Sequence, residues 1–124
     1  MMTRQGAQLM SDAAWPSEIR LSSDKTILHV TFETGDIVAL RAELLRVESP
    51  SAEVQGHGVG QKTTPLGKQD VRITGIEPVG NYAVRLTFDD GHDTGIFSWD
   101  ILHDYGKRQD SLMAAYHARV AAGG

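Results

Sequence analysis

The stretch that most constrains this fold runs from Tyr82 to Leu102. Tyr82, Val84, Leu86 and Phe88 are apolar at period two, with Ala83, Arg85 and Thr87 between them. That alternation describes a strand with one buried and one wet face. Asp90-Gly91 follows, a dipeptide suited to a type I′ hairpin turn, in which both central residues take positive φ. A returning strand then follows the turn, with Asp89, Asp90, His92 and Asp93 gathered at the hairpin tip and on that strand. Ser98 is placed to cap a short helix carrying Trp99, Ile101 and Leu102, with Asp100 favourable in its first turn.

An earlier stretch repeats this order. Ile19 to Leu21 starts a strand, Leu28, Val30 and Phe32 alternate with polar residues, and Thr34-Gly35-Asp36 turns the chain. Ile37 to Leu40 returns, and Ala42 to Val47 reads as a helix with Leu44 and Leu45 inward. Val30–Gly35 aligns with Leu86–Gly91 at an offset of 56, and Ile19–Ser22 with Val71–Thr74 at 52, which implies a four-residue insertion near Glu77-Pro78-Val79-Gly80. After the hairpins, Leu40 aligns with Ile96 and Leu45 with Ile101. Short hairpins also resemble one another by pattern alone, so the residues leave both a true repeat and coincidence open. Two copies fall short of a solenoid, which needs three or more.

The expected fold is α+β, a small, mainly antiparallel domain of two pseudo-repeated hairpin–strand–helix units plus a C-terminal helix. The first unit spans 17–48, a long connection 49–70, the second unit 71–105 and the last helix 110–122, within one domain from 15 to 122. That last helix would be capped by Asp110 or Ser111, with Leu112, Ala115, Tyr116 and Val120 as its inward stripe. Residues 1–14 read as a disordered tail. With 124 residues, the chain is long enough for one modest core.

Composition excludes several chemistries. There is no cysteine, so disulfides, thiolate metal sites and thiol catalysis by this chain are ruled out. A net charge of −4 without a basic cluster gives no footprint for nucleic acid or an anionic membrane. No apolar run approaches a membrane span, and the N-terminus lacks the apolar centre of a signal peptide, so a soluble cytoplasmic protein is expected.

The 49–70 connection, rich in glycine and polar residues, is longer than most structureless loops in compact domains, and such loops are usually functional or disordered. Gly56-His57-Gly58-Val59-Gly60, with Lys62 and Lys68, could cradle an anion through backbone N–H groups, or simply join the two units. It is neither a P-loop nor a dinucleotide-binding glycine motif. His92 with Asp90 and Asp93, and Glu53 with His57, have ligand types suited to a divalent ion, though a hairpin-tip His beside two Asp is more often a solvated, hydrogen-bonded turn. His29, His103 and His117 read as surface residues. No metallohydrolase spacing and no nucleophile elbow occurs.

Leu40 to Gly58 and Asp89 to Trp99 together resemble the two long motifs of the DUF971 family, also called the gamma-butyrobetaine hydroxylase-like N-terminal domain. The likeness runs from about Trp15 to Tyr116. Such domains occur alone in bacteria, fused to Mrp-type ATPases that carry iron–sulfur clusters, and, in a related form, ahead of the catalytic domain of 2-oxoglutarate dioxygenases. There the related domain holds zinc through three Cys and one His. The resemblance puts Ser49, Ser51 and Val54 at the Cys positions and His92 at the His, so one ligand of four remains. The dioxygenase catalytic domain has no counterpart here.

The favoured expectation is therefore a non-catalytic accessory or interaction domain, linked by resemblance to iron–sulfur or iron-enzyme systems. An Mrp-type carrier is the expected protein partner, without nucleic acid or membrane, and the chain itself is expected as a monomer or weak homodimer. Glu53, Gln55, Gly56, His57, Gly58, Gly91 and Trp99 are the expected interaction residues. The alternative is a small metal-binding protein, with iron or zinc held by His92, His57 and Glu53; no cofactor follows from the residues with certainty.

Overall fold

The computed structural model describes residues 15–50 and 67–122. Two antiparallel sheets form an α+β fold. The first has the order β1 (Pro16–Leu21), β2 (Ile27–Phe32), β3 (Ile37–Arg41), and the second β4 (Ile73–Val79), β5 (Ala83–Phe88), β6 (Gly95–Ser98). Helix α1 (Ala42–Val47) follows β3, and α2 (Trp99–Ala121) follows β6.

Alternation explains the sheets. Leu28, Val30 and Phe32 on β2 and Val84, Leu86 and Phe88 on β5 all point inward, while Arg85 points out. The inward faces of both sheets join Leu44, Leu45 and Leu102 of the helices in one apolar cluster. Tyr82, expected on the buried face of β5, precedes the strand and is 55% exposed.

The two units repeat each other in geometry as well as in pattern. Gly35 N–H bonds Phe32 O at 2.9 Å and Phe32 N–H bonds Asp36 O at 2.8 Å; Gly91 N–H bonds Phe88 O and Phe88 N–H bonds His92 O, both at 2.9 Å. Gly35 and Gly91 take positive φ (99° and 94°), whereas Asp90 does not. Each turn is thus the tight turn plus left-handed glycine of a bulged hairpin, and the expected type I′ turn at Asp90-Gly91 is corrected. Each first strand carries a register shift, between Pro16 and Glu18 and between Ile73 and Gly75. Each helix starts by bonding the other end of its hairpin, Ala42 N–H to Thr26 O at 2.7 Å and Trp99 N–H to Tyr82 O at 3.3 Å.

The pairing also corrects the alignment. Ile19 faces Val30, and Ile76 faces Leu86, so the first strands correspond at 76 − 19 = 57 and no four-residue insertion exists. Leu28 faces Leu40, and Val84 faces Phe97, so Leu40 matches the buried Phe97, while Ile96 lies 43% exposed. Leu45 likewise matches the buried Leu102, not Ile101. The second unit has one extra residue between Gly91 and Phe97.

The short helix after Ser98 and the expected separate C-terminal helix are one helix of 23 residues. Ser98 caps it, its Oγ accepting from Ile101 N–H, but Asp110 and Ser111 lie inside it. Ser111 Oγ bonds the carbonyl of Arg108 instead. Of the stripe expected there, Tyr116 is buried and Leu112 half-buried, while Ala115 and Val120 are exposed. Of the three histidines expected at the surface, His29 and His103 are half-buried and His117 is exposed. Gly106 is where the continuous helix crosses β3: a Cβ there would lie 2.4 Å from Val38 Cγ1. Because 106 − 57 = 49 and 95 − 57 = 38, the equivalent contact in the other unit is Ser49 against Gly95, where a Cβ would lie 2.5 Å from Ser49 Oγ.

The helix should therefore tolerate no side chain at Gly106 while Val38 is present. Gly106→Ala gains helix propensity but drives a methyl into a stiff β-branched side chain, so a loss of about 1–3 kcal/mol is expected in urea unfolding. In a Val38→Ala background the same change should become neutral or stabilising, a coupling read directly by the four-protein cycle.

Candidate functional site

The corner where β5 turns into β6 gathers most of the expected functional residues that lie among the described ones. The turn is built by its own carboxylates: Asp89 Oδ1 accepts from Arg72 N–H, and Asp90 Oδ1 from His92 N–H, both at 3.1 Å. The other oxygen of Asp90, Oδ2, takes Arg46 Nε at 2.8 Å and Lys68 Nζ at 2.5 Å. Burial opposes ionisation of Asp90, but hydrogen bonds from Lys68, the His92 N–H and Arg46, with the Arg46 charge, outweigh it. They hold the carboxyl at about 2 against an ordinary 3.8.

His92 sits beside this clasp and is only 6% exposed. Its ring lies tilted against Phe88, centroids 6.0 Å apart, and Nε2 is 3.0 Å from Ser49 Oγ. Ser49 is fully buried, its hydroxyl filling the space that glycine leaves at position 95. The expectation of a solvated His92 is thus corrected: the turn itself is exposed, but the histidine points inward.

A second polar cluster links the helices. Glu48, 4% exposed, is paired with Arg119 at 2.8 Å, and its carbonyl accepts from Tyr105 Oη at 2.8 Å. Burial, and then the nearby Glu48 charge, push the Tyr105 hydroxyl up to about 12. Burial together with the Glu43 carboxylate does the same for Tyr116. Both tyrosines serve as protonated donors, Tyr105 to the backbone carbonyl of Glu48 and Tyr116 to the Glu43 carboxylate.

Of the expected interaction residues, Gly91 lies at the exposed tip of the corner. Trp99 does not join it: its Nε1 bonds Asn81 O at 3.0 Å, at the opposite end of β5. Glu53, Gln55, Gly56, His57 and Gly58, with Ser51 and Val54, lie outside the described residues. Lys68, read from sequence as part of an anion cradle, spends its charge on Asp90. Arg46 was missed altogether; its only signal was a cation in the last turn of a helix, which ordinarily means a solvated, dipole-favoured position.

The donor set does not fit the zinc centre held by the related dioxygenase domain. Ser49 and His92 do converge, but they meet in a direct hydrogen bond, and a neutral hydroxyl is a poor substitute for a thiolate. Val54 carries no donor atom. Among the described residues no three His, Asp or Glu side chains are grouped to hold a metal.

A model of the gamma-butyrobetaine hydroxylase-like N-terminal domain matches residues 19–103. The chain belongs to this family. Two similar proteins solved by NMR in solution are each 46% identical; one covers 90% of this chain and 88% of its own, with a TM-score of 0.77, and the other 90% and 83%, with 0.75. A crystal structure of a DUF971-family protein of unknown function from Acidithiobacillus ferrooxidans is 41% identical over 70% of this chain and 86% of its own, with a TM-score of 0.57. No curated protein matches the chain. Among the described residues no helix is long and apolar enough to cross a membrane.

Asp90 gives the corner a pH signature. Its folded value lies below the ordinary one, so its stabilisation is complete above about pH 4 and disappears as pH falls toward about 2. After allowance for solvent screening, Asp90→Asn should cost on the order of 1 kcal/mol at neutral pH. The variant and parent curves should converge in acid, as measured by urea unfolding between pH 2 and 7.

Proposed function

We propose that this family member is a non-catalytic docking module whose working surface is the Gly91–Asp93 turn together with the connection that starts at Ser49. One observation carries this reading. Ser49, where the connection begins, is fastened to His92, and Lys68, near its end, is fastened to Asp90. The intervening chain leaves and returns at a single corner, an arrangement that suits a presented binding loop on a rigid scaffold. Glu53, Gln55, Gly56, His57 and Gly58 are then the residues offered to the partner.

By family resemblance, the partner is an iron–sulfur carrier of the Mrp type or a similar iron-handling protein. The polar groups of the corner are engaged in holding it together, which supports docking over chemistry. A metal-binding role would need Glu53 and His57 to join His92, and that role is an outcome of the test below.

The test is a two-dimensional ¹H–¹⁵N titration of the labelled chain with purified Mrp-type ATPase from the same organism. Saturable shifts at Gly91–Asp93 and 49–58 are expected, with affinity reduced about tenfold or more when Glu53 and His57 are both changed to Ala. No shift at any carrier concentration would overturn the proposal. Saturable Zn²⁺ or Fe²⁺ binding that His92→Ala abolishes would replace it with the metal-binding role.

A further inference from the structure

The equivalence of the two units exposes a difference between their outer strands. In the first unit Ala42 N–H bonds Thr26 O, so along β3 the backbone groups of Leu40 face β2 and those of Ala39 and Arg41 face away. That outer edge is filled by a single side chain. Gln109 Nε2 donates to Ala39 O at 2.8 Å, and its Oε1 accepts from Arg41 N–H at 2.9 Å. The amide of Gln109 stands in for one residue of a neighbouring strand.

In the second unit Trp99 N–H bonds Tyr82 O, so by the same alternation Ile96 and Ser98 face away from β5. Among the described residues nothing bonds Ile96 O or Ser98 N–H as Gln109 bonds their counterparts. The residue 57 positions before Gln109 is Ala52, which has no side-chain amide to offer. The first strands are blunted by other means: β1 opens on Pro16 with a bulge and bears Glu18 and Arg20, while β4 carries Pro78 and its own bulge. Proline, bulges and charges are the usual protection of a sheet edge. The β6 edge has none of these along its length.

We propose that the outer edge of β6 takes an extended segment of a partner polypeptide as a seventh strand. Its Ile96 C=O and Ser98 N–H would pair with the partner backbone, as Ala39 and Arg41 pair with Gln109. The side chains describe the segment. Ile96, 43% exposed, would lie beside an apolar residue, and the exposed carboxylates of Asp93 and Asp100 at the two ends of β6 favour flanking lysine or arginine. Edge docking draws its biological use from the interaction-module reading. Its surface adjoins the Gly91–Asp93 turn and shares Asp93 with it, but the backbone groups it uses, at Ile96 and Ser98, lie outside that turn.

The test uses the labelled full chain and an acetylated, amidated Lys-Thr-Val-Thr-Lys peptide. The free protein should show Ile96 and Ser98 amides exchanging as open groups. The peptide should shift Thr94, Ile96 and Ser98 saturably and slow exchange at Ile96 and Ser98 several-fold. Ile96→Pro removes the outward N–H at a position where an edge strand tolerates proline, and should reduce binding about tenfold or more. Methylating the peptide's central backbone nitrogen should do the same without changing the protein. Amides already protected in the free chain, absent shifts, or shifts indifferent to both changes would overturn the proposal. So would sedimentation showing a homodimer that Ile96→Pro dissolves, because the occupant would then be a second copy. Each of these failures leaves the carrier titration standing.

Discussion

One carboxylate, Asp90, holds three separate parts of the chain in register. Through Oδ2 it binds the end of α1 at Arg46 and the chain entering the second unit at Lys68, and through Oδ1 it shapes its own turn. A charge shared by two cations and satisfied by backbone is strong where a lone surface ion pair is weak, because geometry and partial burial act together. Without it, Arg46 and Lys68 would lose their shared partner, while Ser49 and His92 would still meet through their own hydrogen bond.

The counterpart of this clasp lies across the molecule. His103 occupies the position in α2 that Arg46 occupies in α1, and it reaches the first turn at Asp36, Nε2 to Oδ2 at 2.7 Å, with its ring edge-on to Phe32. Each unit's helix thus grips the other unit's hairpin, as in an isologous dimer fused into one chain. The paired close contacts, Val38 with Gly106 and Ser49 with Gly95, follow the same rule: where one side fills the space, the other is glycine. The units differ where function is proposed. Among the described residues, only the second turn buries a histidine and only the first outer strand has its edge filled by a side-chain amide, that of Gln109.

Much of the fold was legible in the sequence because period-two alternation and Gly-marked turns act locally. Apart from β4, the strands, α1 and the inward Leu44 and Leu45 follow from spacing, and family membership followed from two long motifs. For β4 the expected segment Val71–Thr74 with an insertion at Glu77–Gly80 is corrected, because Glu77, Pro78 and Val79 pair with β5 inside a strand over Ile73–Val79. The continuity of α2 was not legible, since Gly106 and the polar run after it look like a break until Val38 is seen to require a missing side chain there. The turn type was misread because Asp-Gly also serves a bulged turn in which glycine alone takes positive φ. At the corner, His92 and Gly91 stood out by residue type. Arg46, Lys68 and Ser49 act only through partners 44, 22 and 43 residues away in sequence, and no local pattern encodes such pairings.

The most direct test of the shared corner is an isotope-edited nuclear Overhauser spectrum of the native chain in solution. Cross-peaks are expected between the Ser49 β-protons and the His92 ring, and between the Lys68 side chain and the Asp89–Gly91 turn. Their joint presence would place both ends of the 49–70 connection on one turn. A His92 ring with contacts to Phe88 but none to Ser49, or a Lys68 without contacts to the turn, would contradict it.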